Sequence, residues 1–296
     1  MHATLRDTRL YFDVDGASLV PDGLTFRERP TALVIHGGPG GDHSSFKPAL
    51  DPLTQHLQLV YYDHRGQGRS ARSDPSRYTL DENAEDLEAL RQYLGLGPIV
   101  SIGTSYGGMV AMAHAARYPS AVSHLVLCVT AAHHGFIPRA RAILAERGTP
   151  EQQAIFESLL AGNLKTVPEV ENYFAIMAPL YAVTNPPSAR RGAPPSPEPM
   201  LRAFAPGGFL HTYDLRPELQ RITAPTLVIS GAHDWICPPE LGQEIAALIP
   251  NARFELFAHS AHSLRVDEPA HLVQSITSFL NPDARTDCPE EPAPAP

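Results

Sequence analysis

Along the chain, apolar and polar positions alternate between two periods. Thr31-Ala32-Leu33-Val34-Ile35, Leu57 to Tyr62, Ile99 to Ile102, Val122 to Val129, Pro225 to Gly231 and Arg253 to Phe257 are short runs rich in apolar and β-branched residues. Most are continuous, as in strands buried on both faces of a parallel sheet. Between them the pattern turns helical. From Thr79 to Leu94, the side chains Leu87, Leu90, Tyr93 and Leu94 recur on one face; Thr79 or Asp81 can cap the start, and Gly95 and Gly97 stop the run. Similar patterns predict helices from Met109 to Tyr118, Pro238 to Leu248 and Pro269 to Leu280, with a short one from Lys47 to Gln55. Leu10 to Gly16 alternates and then turns, which predicts an edge strand leading into a hairpin. Strands and helices interleaved in this way make a mostly parallel sheet with helices on both faces.

From Ala131 to Leu215 the pattern changes. Helical stretches continue (Arg139–Arg147, Glu151–Leu160, Glu169–Tyr181), but no run reads as a buried strand. Seven of the 21 residues from Pro179 to Pro199 are proline, too many for a sheet or a long helix. Phe136, Phe156, Tyr173, Phe174, Tyr181, Phe204, Phe209 and Tyr213 carry too much apolar surface for a disordered linker. The expected organisation is a discontinuous core (1–130 and 216–281), a helical cap or lid (131–215), and a disordered tail rich in Pro, Glu and Ala (282–296).

The stretch carrying chemistry is Gly103-Thr104-Ser105-Tyr106-Gly107, between an apolar run and a helix. Strand, Gly-x-Ser-x-Gly, helix is the context of a nucleophile elbow, in which the turn lifts the hydroxyl above the sheet at a helix N-terminus. Gly103 and Gly107 lack the Cβ atoms that would collide with so sharp a turn. A serine hydroxyl needs a base to take its proton and a carboxylate to orient that base. Asp234, just past one strand, and His262, past the next, supply them in the order Ser…Asp…His. The position after the strand preceding the cap reads Thr130-Ala131-Ala132, with no carboxylate, so the acid has to be Asp234.

Competing readings are weaker. His259 and His262, spaced i, i+3 on a loop without nearby cysteines, make a poor metal site, and His259 is expected at the strand end. Asp267 is expected as a cap or surface carboxylate, and His133 and His134 as solvated. An oxyanion formed on attack by Ser105 needs two donors. The N–H of Tyr106 is one, and the glycine-rich stretch His36-Gly37-Gly38-Pro39-Gly40 supplies the other, Gly38 first and Gly37 second. That stretch has no Lys-Ser/Thr and no GxGxxG, which sets phosphate binding aside.

His36-Gly-Gly-Pro-Gly-Gly41, Asp63-His-Arg-Gly-Gln-Gly-Arg-Ser70 and Gly103-Thr-Ser-Tyr-Gly-Gly108 together resemble the proline iminopeptidase family of α/β-hydrolases. The resemblance covers roughly Ala32–Val129 and Pro225–Leu280 and is weak across the cap. It implies the α/β-hydrolase fold and a cofactor-free serine hydrolase acting through an acyl-enzyme. In the family's peptidases, acidic residues near the lid bind the free N-terminal amine of a small peptide. Glu171-Asn172-Tyr173-Phe174 is loosely similar to the family's lid motif, which makes Glu171 a candidate amine anchor and Tyr173 a candidate substrate contact. Where some relatives carry a second acid, directly after Asp234, stands Trp235, which favours an apolar acyl or aromatic pocket. The expected activity is therefore release of an N-terminal residue from small peptides or amides, with an esterase or lactonase as the alternative. A haloalkane dehalogenase would need a carboxylate at position 105, and a non-catalytic binding protein would have lost a member of the triad.

Charge and cysteine usage narrow the partners. A net charge of −9 and a pI near 5.8 argue against nucleic acid or an anionic membrane. Cys128, Cys237 and Cys288 are few, odd in number and free of CxxC spacing, which points to a reducing, cytoplasmic setting; Cys128 reads as a small core residue. The N-terminus lacks a signal peptide's apolar core. The expected ligand is a small molecule or short peptide, with no cofactor and no metal.

Overall fold

The computed structural model describes residues 1–184 and 192–281. The expected tail, 282–296, lies outside the described residues. The N-terminal strands are β1 (His2–Leu5), β2 (Thr8–Asp15), β3 (Leu19–Asp22) and β4 (Thr25–Glu28), followed by β5 (Thr31–Ile35) and β6 (Gln58–Tyr62). Next come α1 (Leu80–Tyr93), β7 (Ile99–Thr104), α2 (Tyr106–Arg117) and β8 (Val122–Cys128). Helices α3 (Phe136–Arg147), α4 (Pro150–Leu160), α5 (Val167–Tyr181) and α6 (Pro197–Phe204) separate β8 from β9 (Thr226–Gly231). The chain closes with α7 (Pro239–Leu248), β10 (Ala252–Phe257), α8 (Leu264–Asp267) and α9 (Pro269–Leu280).

Eight strands form one sheet in the order β1-β2-β6-β5-β7-β8-β9-β10, antiparallel at its β1 and β2 end and parallel from β6 onward. This is the α/β-hydrolase architecture. The continuous apolar runs are explained by their two partners. Leu33, Ile35, Val60, Tyr62, Leu125, Leu127 and Val228 face a core shared with α1, α2 and α7. Their alternate neighbours Ala32, Val34, Leu59, Tyr61, Val100, Ile102, Val126 and Ile229 face a second core with Leu53 and α9. With both faces covered, no position in β9 is left to water.

Local chemistry sets the ends of the helices. Thr79 accepts the Glu82 N–H at the start of α1, and Thr149 with Gln152 and Thr166 with Glu169 close reciprocal capping boxes on α4 and α5. Gly95, at φ +65°, turns the chain after α1.

Two expectations need correction. The edge of the sheet is β1; β2 lies inside it, between β1 and β6, and the hairpin that follows, β3 with β4, pairs only with itself. The stretch from Lys47 to Gln55 forms no α-helix; 3₁₀ turns at His43–Phe46 and Asp51–Gln55 replace it, because Pro48 and Pro52 withhold the amides a longer helix needs. Within the proline-rich stretch, α5 carries Pro179 in its last turn, and α6 starts with Pro197 and Pro199 in its first, where no intrahelical acceptor awaits the amide. Residues 185–191 of that stretch lie outside the described part.

The order of strands also sets where a site can form. From β5 the chain first moves outward to β6, then crosses back to β7 on the other side of β5. The loops leaving the carboxyl ends of β5 and β7 therefore part in opposite directions and leave a crevice between them, the usual place for a ligand in an open α/β sheet.

Candidate active site

Ser105 stands at that crevice, between the end of β7 and the first residue of α2, with φ +56° and ψ −124°. A non-glycine residue rarely adopts this geometry, which costs of order 1–3 kcal/mol, and its neighbours hold it. The Ser105 amide donates to the Cys128 carbonyl at 2.9 Å, and the Ser105 carbonyl accepts the Thr130 hydroxyl at 2.7 Å and the Gly108 amide at 2.9 Å. The glycines around it are required by space. A Cβ on Gly103 would lie 2.8 Å from the Gly107 carbonyl carbon, and one on Gly107 would lie 2.6 Å from the Ile35 carbonyl carbon.

His262 sits between β10 and α8, with its Nε2 3.0 Å from the Ser105 hydroxyl. Its Nδ1 lies 2.8 Å from Asp234 Oδ2. An ionised carboxylate only accepts, so Nδ1 carries the proton and Nε2 is left to accept from Ser105. The other carboxylate oxygen of Asp234 accepts the amides of Ile236 at 2.8 Å and Cys237 at 3.0 Å. Asp234 is 1% exposed and His262 6% exposed, whereas Ser105 keeps partial access to solvent. Such a line of carboxylate, imidazole and hydroxyl can move a proton off the serine while keeping the imidazole in one tautomer.

Opposite Ser105 lies the loop leaving β5. Gly37 packs so closely on the serine that a Cβ there would stand 3.2 Å from Ser105 Cβ. Among the described residues no acceptor takes the amides of Gly37, Gly38 or Tyr106. The Asp63–Ser70 motif, which the sequence tied to a family without assigning it work, braces this loop. Gln67 Oε1 accepts the Gly40 amide at 2.7 Å. Asp63 accepts the amides of His43 at 2.9 Å and Arg69 at 2.8 Å, and His43 Nδ1 at 2.7 Å. Burial alone would raise the Asp63 pKa, but the His43 side-chain hydrogen bond, the electrostatic pull of His36 and the Arg69 amide outweigh it and bring the carboxyl down to about 2. Arg65, fully buried, forks onto Asp86 of α1 at 2.6 and 2.7 Å.

The other residues singled out from the sequence are dispersed. Glu171 is exposed on α5, and Tyr173 on the same helix is buried, edge-on to Phe174. Trp235 is buried rather than lining an open surface; Phe156 meets it edge-on at 5.5 Å and Tyr181 at 5.9 Å. Tyr181 also packs edge-on against the His262 ring at 5.7 Å, a contact with no sequence signal because α5 and His262 lie far apart along the chain. Asp267 accepts the Ala261 amide at 2.9 Å and the amides of Val183 and Thr184, which fixes the chain entering His262. His259 is exposed, and His133 pairs with Glu244 at 3.0 Å. Cys128 is a core residue whose thiol burial pushes up to about 12.

The α/β-hydrolase fold family matches residues 30–156 and 172–269 of this chain. The chain is an α/β-hydrolase. The hydrolase is 30% identical over 281 residues to a protein named proline iminopeptidase PfmaB from Pestalotiopsis fici, an alignment covering 91% of this chain and 98% of the relative. Its fold superposes on the crystal structure of a proline iminopeptidase from Mycobacterium smegmatis with a TM-score of 0.75 at 21% identity, covering 95% of this chain and 97% of that one. It also resembles an enol-lactonase from Burkholderia xenovorans LB400, with a TM-score of 0.66 at 25% identity, covering 95% and 99% of the two chains. No helix among the described residues of the hydrolase is long and apolar enough to cross a membrane. Nor do those residues include a group of His, Cys, Asp and Glu placed to hold a metal ion.

Proposed function

We propose that this hydrolase cleaves small amides or peptides through an acyl-enzyme on Ser105, releasing an N-terminal residue, proline foremost. The observation that carries the reading is the unbroken line Asp234–His262–Ser105 at 2.8 and 3.0 Å. His262 Nε2 takes the hydroxyl proton as Oγ bonds to the substrate carbonyl carbon, and Asp234 steadies the imidazolium that results. The carbonyl oxygen, now negative, receives the N–H groups of Tyr106 and Gly38, with Gly37 as the second choice for the latter. On collapse the C–N bond breaks and His262 gives its proton to the departing amine. Water, deprotonated by the same imidazole, then frees the acyl group from Ser105. Helices α3 to α6, within residues 131–215, serve as the cap over this site, supported by the contacts of Tyr181 on His262 and Phe156 on Trp235.

The peptidase reading rests on the likeness to proteins named proline iminopeptidase. Under it, Glu171 anchors the substrate amine, and Trp235 and Tyr173 contribute apolar surface behind the acyl group. A second reading, an esterase or lactonase, has its own support: Trp235 stands where an acid would help bind an amine, and the fold is shared with an enol-lactonase. Kinetics on prolyl-β-naphthylamide, p-nitrophenyl acetate and acyl lactones separate the two. Turnover of the prolyl amide, with KM raised in Glu171→Gln and ester hydrolysis unaffected, supports the first. Ester or lactone turnover with none of the prolyl amide removes it.

A further inference from the structure

We infer that His36, held by His64, is the positioning residue that aims the Gly38 amide at the oxyanion. This deepens the proposed reaction and rests on its assignment of Gly38 as a donor.

In a trans peptide the carbonyl and the following N–H lie in one plane and point in opposite directions. The Gly37–Gly38 bond is trans, and the Gly37 carbonyl lies 2.7 Å from His36 Nδ1. A carbonyl held against the imidazole sends the Gly38 N–H to the other side of the loop. There, no described residue accepts it, and Gly37 lies against Ser105. Whether that carbonyl stays in place depends on which nitrogen of His36 carries the proton.

His64 settles the tautomer. Its backbone N–H donates to His36 Nε2 at 3.1 Å, so Nε2 must be the bare nitrogen and Nδ1 the donor to Gly37. The His64 ring returns the contact, with Nε2 3.1 Å from the His36 carbonyl, and the two rings stand 4.3 Å apart. Both side chains are fully buried, and burial pushes the pKa of each below the ordinary histidine value, which keeps them neutral. Arg65, clamped to Asp86, fixes the segment from which His64 acts. Two glycines leave room for the arrangement. A Cβ on Gly41 would come within 2.7 Å of the Gly37 oxygen, and Gly38 itself sits at φ +133°. The two motifs His36–Gly41 and Asp63–Ser70 are thus one device: the second sets a tautomer in the first, and the tautomer sets a peptide plane.

The test compares His36→Phe, which keeps a flat ring but offers no N–H, with His36→Asn, whose side-chain amide can place an N–H near the Nδ1 position. With p-nitrophenyl acetate as substrate, His36→Phe should lower kcat about 100-fold, at the lower end of the range for a lost oxyanion donor because the amide is misdirected rather than removed, while KM changes little. Phenylboronic acid, which becomes tetrahedral on Ser105, should lose affinity by a similar factor, and His36→Asn should recover much of both losses. A purely structural role would not split kcat from KM or make the boronate track kcat. The crystal structure of His36→Phe gives a readout independent of turnover, with the Gly37–Gly38 peptide rotated away from its wild-type orientation. If His36→Phe does not fold, His64→Phe, which deletes the ring donor to the His36 carbonyl, should shift the same readings in the same direction. An unrotated peptide, or a His36→Phe enzyme with unchanged kcat, overturns the inference. A wild-type protein that neither turns over the ester nor reacts with a fluorophosphonate contradicts the proposed reaction instead, and the peptide orientation in the variant still decides the role of His36.

Discussion

Replacing Gly107 with alanine separates the effect of the elbow from the ordinary behaviour of a helix glycine. Gly107 is the second residue of α2, and in an exposed helix Gly→Ala would gain about 1 kcal/mol from propensity. Here the added Cβ would lie 2.6 Å from the Ile35 carbonyl carbon and 2.7 Å from the His36 carbonyl oxygen. Carbon atoms rest about 3.5–4.0 Å apart, so relief requires a shift of about 1 Å. The obstructing atoms are backbone and cannot rotate aside. Ile35 is paired on both flanks, with Tyr62 in β6 and Gly103 in β7. Overpacking costs about 1–3 kcal/mol, and with backbone in the way the upper end applies. Offset by the propensity gain, Gly107→Ala should be destabilised by about 2 kcal/mol. Urea unfolding at fixed pH, with m unchanged, measures this. Gly97→Ala, whose Cβ would meet nothing within 4 Å, is the control and should stay within about 0.5 kcal/mol of wild type. A Gly107→Ala protein as stable as wild type would refute the packing argument for the Gly-x-Ser-x-Gly turn.

Three further outcomes follow from the same geometry. Asp234→Asn should fold normally but lose about 10⁴-fold in kcat, because the amide no longer holds His262 in the required tautomer; a loss near twofold in steady-state kinetics would point to another acid. Thr130→Val removes the hydroxyl donated to the strained Ser105 carbonyl and should cost about 1 kcal/mol in chemical denaturation; an unchanged unfolding midpoint would mean the strain is held elsewhere. The Asp63 carboxyl falls from 3.8 to about 2 on folding, so its contribution is fully present above pH 3.8 and is lost as pH falls toward 2. That drop corresponds to about 2 kcal/mol, so the stability gap between wild type and Asp63→Asn should narrow over this window; a gap that stays constant down to pH 2 would contradict the assignment.

The sheet was legible where burial on both sides forces unbroken apolar runs, as in Thr31–Ile35 and Thr226–Gly231. Ser105, Asp234 and His262 could be placed because each follows a strand whose end the sequence marks with glycine or a polar turn. The sequence could not show that β1 takes the edge from β2, since a four-residue strand carries too little pattern to compete with the longer run beside it. The proline count between Pro179 and Pro199 gave no sign of the short helix α6, because composition does not record that Pro197 and Pro199 fall in a helix's first turn. The work of Asp63, His64 and Gln67 was hidden for a different reason. Their partners lie 20 to 28 residues away, and only the pairing of β5 with β6 brings them together. Tyr181 on His262 and Asp267 on Ala261 belong to the same class of contact made by the fold.

Every step proposed for this site depends on Ser105 being a nucleophile activated by His262. That activation is tested most directly by treating the folded protein with a fluorophosphonate and mapping the adduct by mass spectrometry. A single stoichiometric adduct on Ser105 is expected, absent in Ser105→Ala and formed far more slowly in His262→Ala. Native protein that remains unmodified, or an adduct on another residue while Ser105 stays free, would contradict it.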